Sequence, residues 1–251
     1  AKVVEVQASL NKARKDVAQM LEERETEAQK IRYEIETRAR TNLLRDLGPL
    51  PGDKLEHTIW ARGGERITVD GRPVTVPKMR IARDGIGTPI LASDLEIGDL
   101  VNALPEALYN PERYFLDAEE VEGHHLLVHK SKSPLILLRM EPGDIKPGKA
   151  ADGSSRENWD VDGIVAYSKI CTHVGCPVGL YEQQTHHLLC PCHQSTFDMT
   201  DDCKVIFGPA KRPLPQLKIS VDDEGYLVAD QGFKRPVGPS FWEDNGKELK
   251  S

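Results

Sequence analysis

Two short stretches of the chain concentrate cysteine and histidine. The first, "CTHVGC", spans Cys171–Cys176, and the second, "CPCHQS", spans Cys190–Ser195. Together they contain four of the chain's five cysteines and two of its eight histidines. Thiolates and imidazoles are protein ligands that zinc and iron favour. The spacing therefore predicts a metal centre that takes at least one thiol and one imidazole from each of two loops.

Two kinds of metal centre fit this ligand set. A structural zinc site of the Cys2His2 kind takes four ligands from two loops. A [2Fe–2S] cluster in which two histidines replace two cysteines on one iron takes the same four. Zinc gives no role to Cys176 and Cys192, which lie one in each stretch and could bridge the loops through a disulfide. The residues by themselves leave both alternatives open.

The segments around these stretches have the character of strands. "ERITVDGRPVTV" (Glu65–Val76) alternates around Asp70-Gly71, which is a strong hairpin signal. Three other segments predict further strands: two in "HHLLVHKSKSPLILLRM" (His124–Met140), one in "GIVAYSKI" (Gly163–Ile170), and a pair in "QLKISVDDEGYLVAD" (Gln216–Asp230) that turns at Asp222–Gly225. Strands at this spacing without intervening helices imply a mainly β fold, an antiparallel sandwich or barrel over residues 49–231.

The two ends of the chain differ in composition from this domain. Residues 1–48 are predicted to form one long amphipathic helix, because apolar side chains recur at helical spacing among dense Glu, Lys and Arg. Such a helix could pair in a coiled coil, lie on a protein or membrane surface, or pack loosely on its own domain. Residues 232–251 are polar and predict an exposed C-terminal tail, with Phe241 and Trp242 as candidate anchors.

Charge and hydropathy narrow the range of partners. The 251-residue chain has a formal net charge of -7 and a pI near 5.7. Nucleic-acid-binding domains usually present a basic face, so this charge argues against a nucleic-acid partner. No apolar run approaches the ~18 to 20 residues that a bilayer-spanning helix needs. The most apolar run, "PLILLRM" (Pro134–Met140), fits a buried strand.

The two cysteine-rich stretches also carry a family resemblance. C-T-H-x-G-C with C-P-C-H-x-S resembles the Rieske iron–sulfur proteins of cytochrome bc complexes, and "FGPAKRPLPQL" (Phe207–Leu217) resembles their proline loop, which covers the cluster. The resemblance covers roughly residues 91–230. A second cysteine in each stretch is typical of the respiratory branch, and Gln194, where the common form has glycine, is similar to the actinobacterial menaquinol–cytochrome c reductase subunits.

The resemblance implies a Rieske β-sandwich with a small cluster-binding subdomain over about residues 168–215. It also implies a role for each residue of the two stretches. Two thiolates would ligate an inner ferric iron and two imidazoles an outer iron, the one that is reduced: Cys171 and Cys190, then His173 and His193. Cys176 and Cys192 would form a disulfide between the loops, and Ser195 would donate a hydrogen bond to a cluster sulfur.

The function that the resemblance implies is electron transfer. His173 and His193 would contact quinol at a cytochrome b subunit, where one electron and one proton leave it, and the electron would pass to a c-type cytochrome. The expected location is the extracytoplasmic face of the cell membrane, with an anchor formed by segments absent from this sequence. Two alternatives are a soluble Rieske ferredoxin or oxidase small subunit, and a structural zinc domain without redox function.

One residue departs from the family pattern. Many high-potential members have a tyrosine two residues after the conserved serine, and its hydroxyl bonds a ligand cysteine. Phe197 stands there in this chain. The missing hydrogen bond predicts a lower reduction potential, suited to a menaquinol donor rather than ubiquinol.

The remaining candidate groups are predicted to be structural. Cys203 is expected to be a buried, inert thiol. His186 and His187 are expected to face solvent, and "DAEE" (Asp117–Glu120) to form a solvated turn. The other histidines, expected in or beside strands and without a metal role, are His57, His124, His125 and His129.

Overall fold

The structure is a computed structural model that describes residues 58–149, 153, 155–156 and 159–239. The helix predicted over residues 1–48, His57, and the candidate anchors Phe241 and Trp242 lie outside these residues. Within them, no helix combines the length and the apolar character that crossing a bilayer requires.

Thirteen short strands, one α-helix and six short 3-10 helices make up the regular structure of the described residues. The strands are β1 Arg66–Val69, β2 Arg72–Thr75, β3 Met79–Arg83, β4 Leu100–Pro105, β5 Leu135–Arg139, β6 Ile164–Ser168, β7 Leu180–Glu182, β8 His187–Leu189, β9 Thr196–Asp198, β10 Lys204–Phe207, β11 Gln216–Leu217, β12 Ile219–Val221 and β13 Leu227–Ala229. The helix, α1, is Gly123–Lys132. Every strand pairing is antiparallel, which confirms the predicted fold class.

The strands form one large and two small sheets. The large sheet has seven strands in the order β11-β6-β5-β4-β3-β13-β12. A four-stranded sheet, β10-β9-β8-β7, is inserted between β6 and β11 and carries the cysteine-rich stretches in its loops. The predicted hairpin is confirmed as β1-β2, in which Val69 pairs with Arg72. Its turn residues Asp70 and Gly71 have φ values of 49° and 75°, the left-handed conformations that a two-residue hairpin turn requires.

The large sheet has a hydrophobic core on each face. Along β5, Leu135 and Leu137 point into the first core, and Ile136 and Leu138 point into the second. Strand β6 alternates in the same way, and both strands are almost wholly buried. The first core, here the base core, fills the main domain. The second core lies under the four-stranded sheet and contains the buried cysteines, so we call this part the cysteine subdomain.

One predicted strand is wrong. The segment that includes His124 and His125 belongs to the helix α1, and His129 lies in it as well. The following strand, β5, was predicted correctly. Its two edges are occupied by β4 and β6, so no edge is left to pair with the segment that precedes it. Helix formation satisfies the backbone groups of that segment within itself.

The predicted exposed tail is wrong for residues 232–239. Phe233 is only 5% exposed and packs in the base core, and Val237 packs against that core. Gly238 and Pro239 are also buried. The segment Phe233–Pro239, here the C-terminal strap, is therefore held on the domain despite its polar composition.

Candidate metal centre

The two cysteine-rich stretches fold into loops with the same backbone hydrogen bonds. The first cysteine loop, Cys171–Cys176, lies between β6 and β7, and the second, Cys190–Ser195, lies between β8 and β9. In each loop the N–H of the first residue donates to the carbonyl of the sixth at 2.8 Å. The N–H of the fifth residue donates back to the carbonyl of the first, at 3.0 and 2.9 Å. The shared pattern gives both loops the same local turn, and the contacts described next bring the two loops together at one end of the cysteine subdomain.

The fifth residue of each loop has a left-handed backbone. Gly175 has a φ of 84° and Gln194 a φ of 60°. Glycine adopts this region freely, whereas a residue with a Cβ loses about 1 kcal/mol there. The turn therefore accounts physically for a glycine at this place in the common motif, and Gln194 tolerates it at a modest cost in stability.

A disulfide joins the two loops. Cys176 and Cys192 are bonded, with Cα atoms 6.5 Å apart and a sequence separation of 16, which confirms the predicted bridge. Cys203 is free and fully buried, also as predicted. Burial raises the pKa of the Cys203 thiol well above its usual range, so it stays protonated and unreactive at neutral pH.

The two remaining loop cysteines lie side by side in the interior. Cys171 and Cys190 are 0% and 1% exposed, and their sulfurs are within hydrogen-bonding reach of each other. This contact raises the pKa of Cys171 and lowers the pKa of Cys190 to about 7. The backbone N–H groups of His173 and His193 also donate to these sulfurs. Donors of this kind stabilise thiolates, the form that binds metal.

The two loop histidines meet edge to face at the same end. The ring centroids of His173 and His193 are 4.8 Å apart, with the planes at 88°. His173 is half-buried, and its Nδ1 atom is buried with no hydrogen-bond partner among the described residues. Burial and the neighbouring His193 lower the pKa of His173. A neutral imidazole with a buried, unpartnered nitrogen is the form in which histidine ligates a metal.

The sulfur atoms of Cys176, Cys190 and Cys192 lie within 4.8 Å of one another, which gives them the appearance of a metal site. Two of them are joined in the disulfide and have no thiolate to offer. Within the two cysteine loops, the donors left for a metal are the thiols of Cys171 and Cys190 and the imidazoles of His173 and His193. This set fits the two-thiolate, two-imidazole requirement of the predicted [2Fe–2S] cluster.

The proline loop, Phe207–Leu217, is bonded to both cysteine loops. The N–H of Ala210 donates to Ser195 Oγ at 3.1 Å, and Thr172 Oγ1 donates to the carbonyl of Arg212 at 2.6 Å. At Gly208, with a φ of 91°, an added Cβ would lie 2.6 Å from the Cα of Ser195. Glycine is required there because the two backbones are in contact.

Comparison with known proteins agrees with this geometry. Residues 118–218 match the family model of the Rieske [2Fe-2S] domain. Over 199 residues, the chain is 46% identical to the "Cytochrome bc1 complex Rieske iron-sulfur subunit" of Streptomyces lividans, and the match covers 79% of this chain and 98% of the relative. The chain belongs to the Rieske iron–sulfur subunit family. Its cofactor is therefore the [2Fe–2S] cluster, which removes the basis for the structural zinc alternative.

Other Rieske proteins are similar over part of their length. The Streptomyces coelicolor subunit is 47% identical over 201 residues, 80% of this chain, but the chain spans only 48% of that relative. The Mycobacterium tuberculosis H37Rv subunit is 45% identical over 130 residues, 51% of this chain and 30% of the relative. The crystal structure of the soluble domain of Rieske protein II from Sulfolobus acidocaldarius is 26% identical, with a TM-score of 0.36, 42% of this chain and 64% of that chain being covered.

Ser195, which the resemblance predicts to bond a cluster sulfur, lies beside the sulfur of Cys171 in the structure. The side chain is fully buried, and its hydroxyl donates to the sulfur of Cys171, which lowers the pKa of that thiol against the larger effect of the Cys190 contact. The oxygen in turn accepts the N–H of Ala210. The proline loop therefore fixes the orientation of the hydroxyl.

Two histidines close to the Rieske loops are less exposed than predicted. His186 Nδ1 lies 2.6 Å from the hydroxyl of Tyr181, and its Nε2 lies 3.4 Å from the carboxylate of Asp144, so the ring is half-buried. His187 is also half-buried, in β8. His186 is held by these contacts in the turn between β7 and β8, and His187 by its place in the strand. Asp117–Glu120 is exposed and starts a short 3-10 helix, as the predicted solvated turn requires.

Phe197 lies in β9, fully buried in the core that contains both thiols. We expect Phe197→Tyr to raise the midpoint potential of the cluster, because a hydroxyl bonded to a ligand sulfur stabilises the added electron. A hydrogen bond contributes about 1 kcal/mol net. Each kcal/mol by which it stabilises the reduced cluster more than the oxidised cluster raises the midpoint potential by about 40 mV. A redox titration at one pH measures the shift.

The matched control for this change is Phe207→Tyr. Phe207 is 64% exposed, so the same added hydroxyl there reaches water and leaves the potential unchanged. An unshifted potential in Phe197→Tyr would contradict the prediction that Phe197 lowers the potential.

Proposed function

We propose that Cys171, Cys190, His173 and His193 are the ligands of the [2Fe–2S] cluster. The observation that carries the proposal is the buried, unpartnered Nδ1 of His173, since a polar atom in that position is costly unless a ligand binds it. When bound, the cluster supplies a one-electron acceptor, and neutral imidazoles in place of two thiolates raise its potential.

The protein's own groups then divide into two tasks. Backbone N–H donors and the Ser195 hydroxyl hold the sulfurs of the two thiolates and stabilise negative charge on them. The two histidines are the groups that accept the proton. His193 is exposed and His173 is half-exposed, while the Nδ1 of His173 faces inward, so its Nε2 is the nitrogen that reaches solvent. A neutral imidazole at that position accepts a hydrogen bond from a hydroxyl and takes up its proton.

These properties support a role as the electron-transfer subunit of a quinol–cytochrome c oxidoreductase. The subunit receives one electron and one proton from quinol, with menaquinol as the expected type, at a cytochrome b subunit. It passes the electron to a c-type cytochrome. The relatives that match over most of this chain are named as subunits of cytochrome bc1 complexes, which favours this role over a soluble ferredoxin or an oxidase small subunit.

The disulfide supports a location on the extracytoplasmic face of the membrane. Such bonds persist in oxidising compartments and are rare in reducing ones. Cys176–Cys192 lies at the metal centre itself, so its reduction would loosen the site. We therefore place the domain outside the cytoplasm, on the membrane that carries the complex.

The experiment is a reductase assay on membranes from cells that express the full-length subunit, its His193→Ser variant, or none. Electron paramagnetic resonance on the same membranes reports the cluster. The proposal predicts a Rieske signal and menaquinol-dependent cytochrome c reduction only with the parent subunit. Zinc without a Rieske signal would restore the structural zinc alternative. A Rieske signal with reductase activity that is independent of the subunit would favour the soluble ferredoxin alternative.

A further inference from the structure

The C-terminal strap connects the base core to the cysteine subdomain. Phe233 is buried in the base core, so one end of the strap is anchored there. Two residues later, the Nη1 of Arg235 donates to the carboxylate of Asp202 in the cysteine subdomain at 3.2 Å. The strap therefore has one firm attachment on each part of the domain.

Arg212 attaches the proline loop to this strap. Its guanidinium donates through Nη1 to the carbonyl of Pro236 at 3.0 Å and through Nη2 to the carbonyl of Gly238 at 2.9 Å. Its own backbone carbonyl accepts the hydroxyl of Thr172 in the first cysteine loop at 2.6 Å. One residue thus bonds the strap on one side and a cysteine loop on the other.

Arg212 is connected to a proposed cluster ligand through two residues of main chain and two hydrogen bonds. Two residues before Arg212, the N–H of Ala210 holds Ser195 Oγ at 3.1 Å. The Ser195 hydroxyl donates to the sulfur of Cys171. The proline loop forms none of the named strands between Phe207 and Gln216. Backbone bonds and the buried Leu214 hold its second half, whereas the part around Ala210 and Arg212 is held by side-chain bonds as well. The orientation of the Ser195 hydroxyl therefore depends on the support that Arg212 gives the loop.

We propose that Arg212 is a positioning residue that sets the reduction potential of the cluster by holding the proline loop against the strap and thereby aiming the Ser195 hydroxyl at the Cys171 sulfur. The inference rests on the proposed ligand set. Arg212 itself touches no reacting atom. Its planar fork reaches two carbonyls at once, which a lysine ammonium on a flexible stem cannot reproduce with the same geometry.

The test is a double-mutant cycle read as midpoint potential. Arg212→Ala, Ser195→Ala and the double variant are compared with the parent holoprotein by redox titration of the electron paramagnetic resonance signal at one pH. Because the titration reports only protein that holds a cluster, a loss of occupancy does not move it. We expect Arg212→Ala to lower the midpoint potential by at least half as much as Ser195→Ala does. The double variant is expected to have the same midpoint potential as Ser195→Ala alone.

Two further variants separate the proposed role from general effects. Lys211→Ala removes the neighbouring exposed positive charge from the same loop and is expected to leave the potential at the parent value. Arg212→Lys keeps the positive charge but lacks the planar guanidinium. Its midpoint potential is expected to lie between those of the parent protein and Arg212→Ala. If Arg212→Ala holds too little cluster to titrate, Arg212→Lys replaces it in the double-mutant cycle, and its midpoint-potential shift is likewise expected to disappear in the Ser195→Ala background.

An unchanged potential in Arg212→Ala would overturn the inference while leaving the proposed function intact. Full additivity of the Arg212 and Ser195 shifts would overturn it as well, since Arg212 would then act by another route. Equal shifts of the midpoint potential in Lys211→Ala and Arg212→Ala would show that the loss of one positive charge explains the effect. That result would also refute the positioning role of Arg212. Absence of a Rieske signal from the parent protein would instead refute the proposed ligand set on which the inference rests.

Discussion

Replacing His173 by serine is expected to abolish the Rieske electron paramagnetic resonance signal and to remove the iron from the purified protein. A serine hydroxyl is shorter than an imidazole and does not reach the position that the buried Nδ1 now occupies. The outer iron would lose one of its two protein ligands, and a cluster with an incomplete ligand set is not retained. This is an all-or-none effect, larger than any shift in potential predicted for the other variants.

The β fold is expected to survive this replacement. His173 is half-exposed and lies in a loop, and it is absent from the residues that form either core. Far-ultraviolet circular dichroism measures the retained fold, and iron analysis measures the loss. His187→Ser is the matched control, since it removes a half-buried imidazole from β8 in the same subdomain and should leave the signal unchanged. An unaltered spectrum in His173→Ser would show that another residue ligates the outer iron.

Removing the disulfide is expected to produce the largest loss of stability. The bond closes a loop of sixteen positions, for which the chain-entropy description gives about 3 kcal/mol of stabilisation. Cys176 is 3% exposed, so a double Cys176→Ala, Cys192→Ala change also removes packing in the cysteine subdomain. The urea concentration at which the visible circular dichroism of the holoprotein disappears reports the change.

Cys203→Ala serves as the control for removing a buried sulfur without breaking a bond. It should cost much less than the double variant, because only one small side chain is truncated. Mass spectrometry without reduction should find Cys176 joined to Cys192 and Cys203 free. Equal stability of the double variant and Cys203→Ala would contradict a stabilising role for the bond.

The sequence predicts the local features of this domain well. Asp70-Gly71 requires a left-handed turn and therefore predicts the hairpin, and the apolar run in β5 predicts a buried strand. The motif at the cysteine loops resembles the Rieske family, and that resemblance implies the disulfide that the structure contains. These are features that a few neighbouring residues determine.

The features that the sequence does not predict depend on distant parts of the chain. Whether the segment before β5 forms a strand depends on which sheet edges remain open, and both are taken by β4 and β6. The burial of Phe233 depends on a space in the base core. Arg212 bonds carbonyls 24 and 26 residues away, and nothing in its neighbouring residues indicates those partners.

The central strands β5 and β6 contribute alternate side chains to both cores, and this has a thermodynamic consequence. Melting the cysteine subdomain alone would expose to water one whole face of strands whose other face still belongs to the base. The apolar area exposed by such a partial opening makes it unfavourable. On heating, the visible absorbance of the cluster and the secondary structure of the base are therefore expected to be lost in one cooperative transition. The absorbance of the cluster then reports the unfolding of the entire domain.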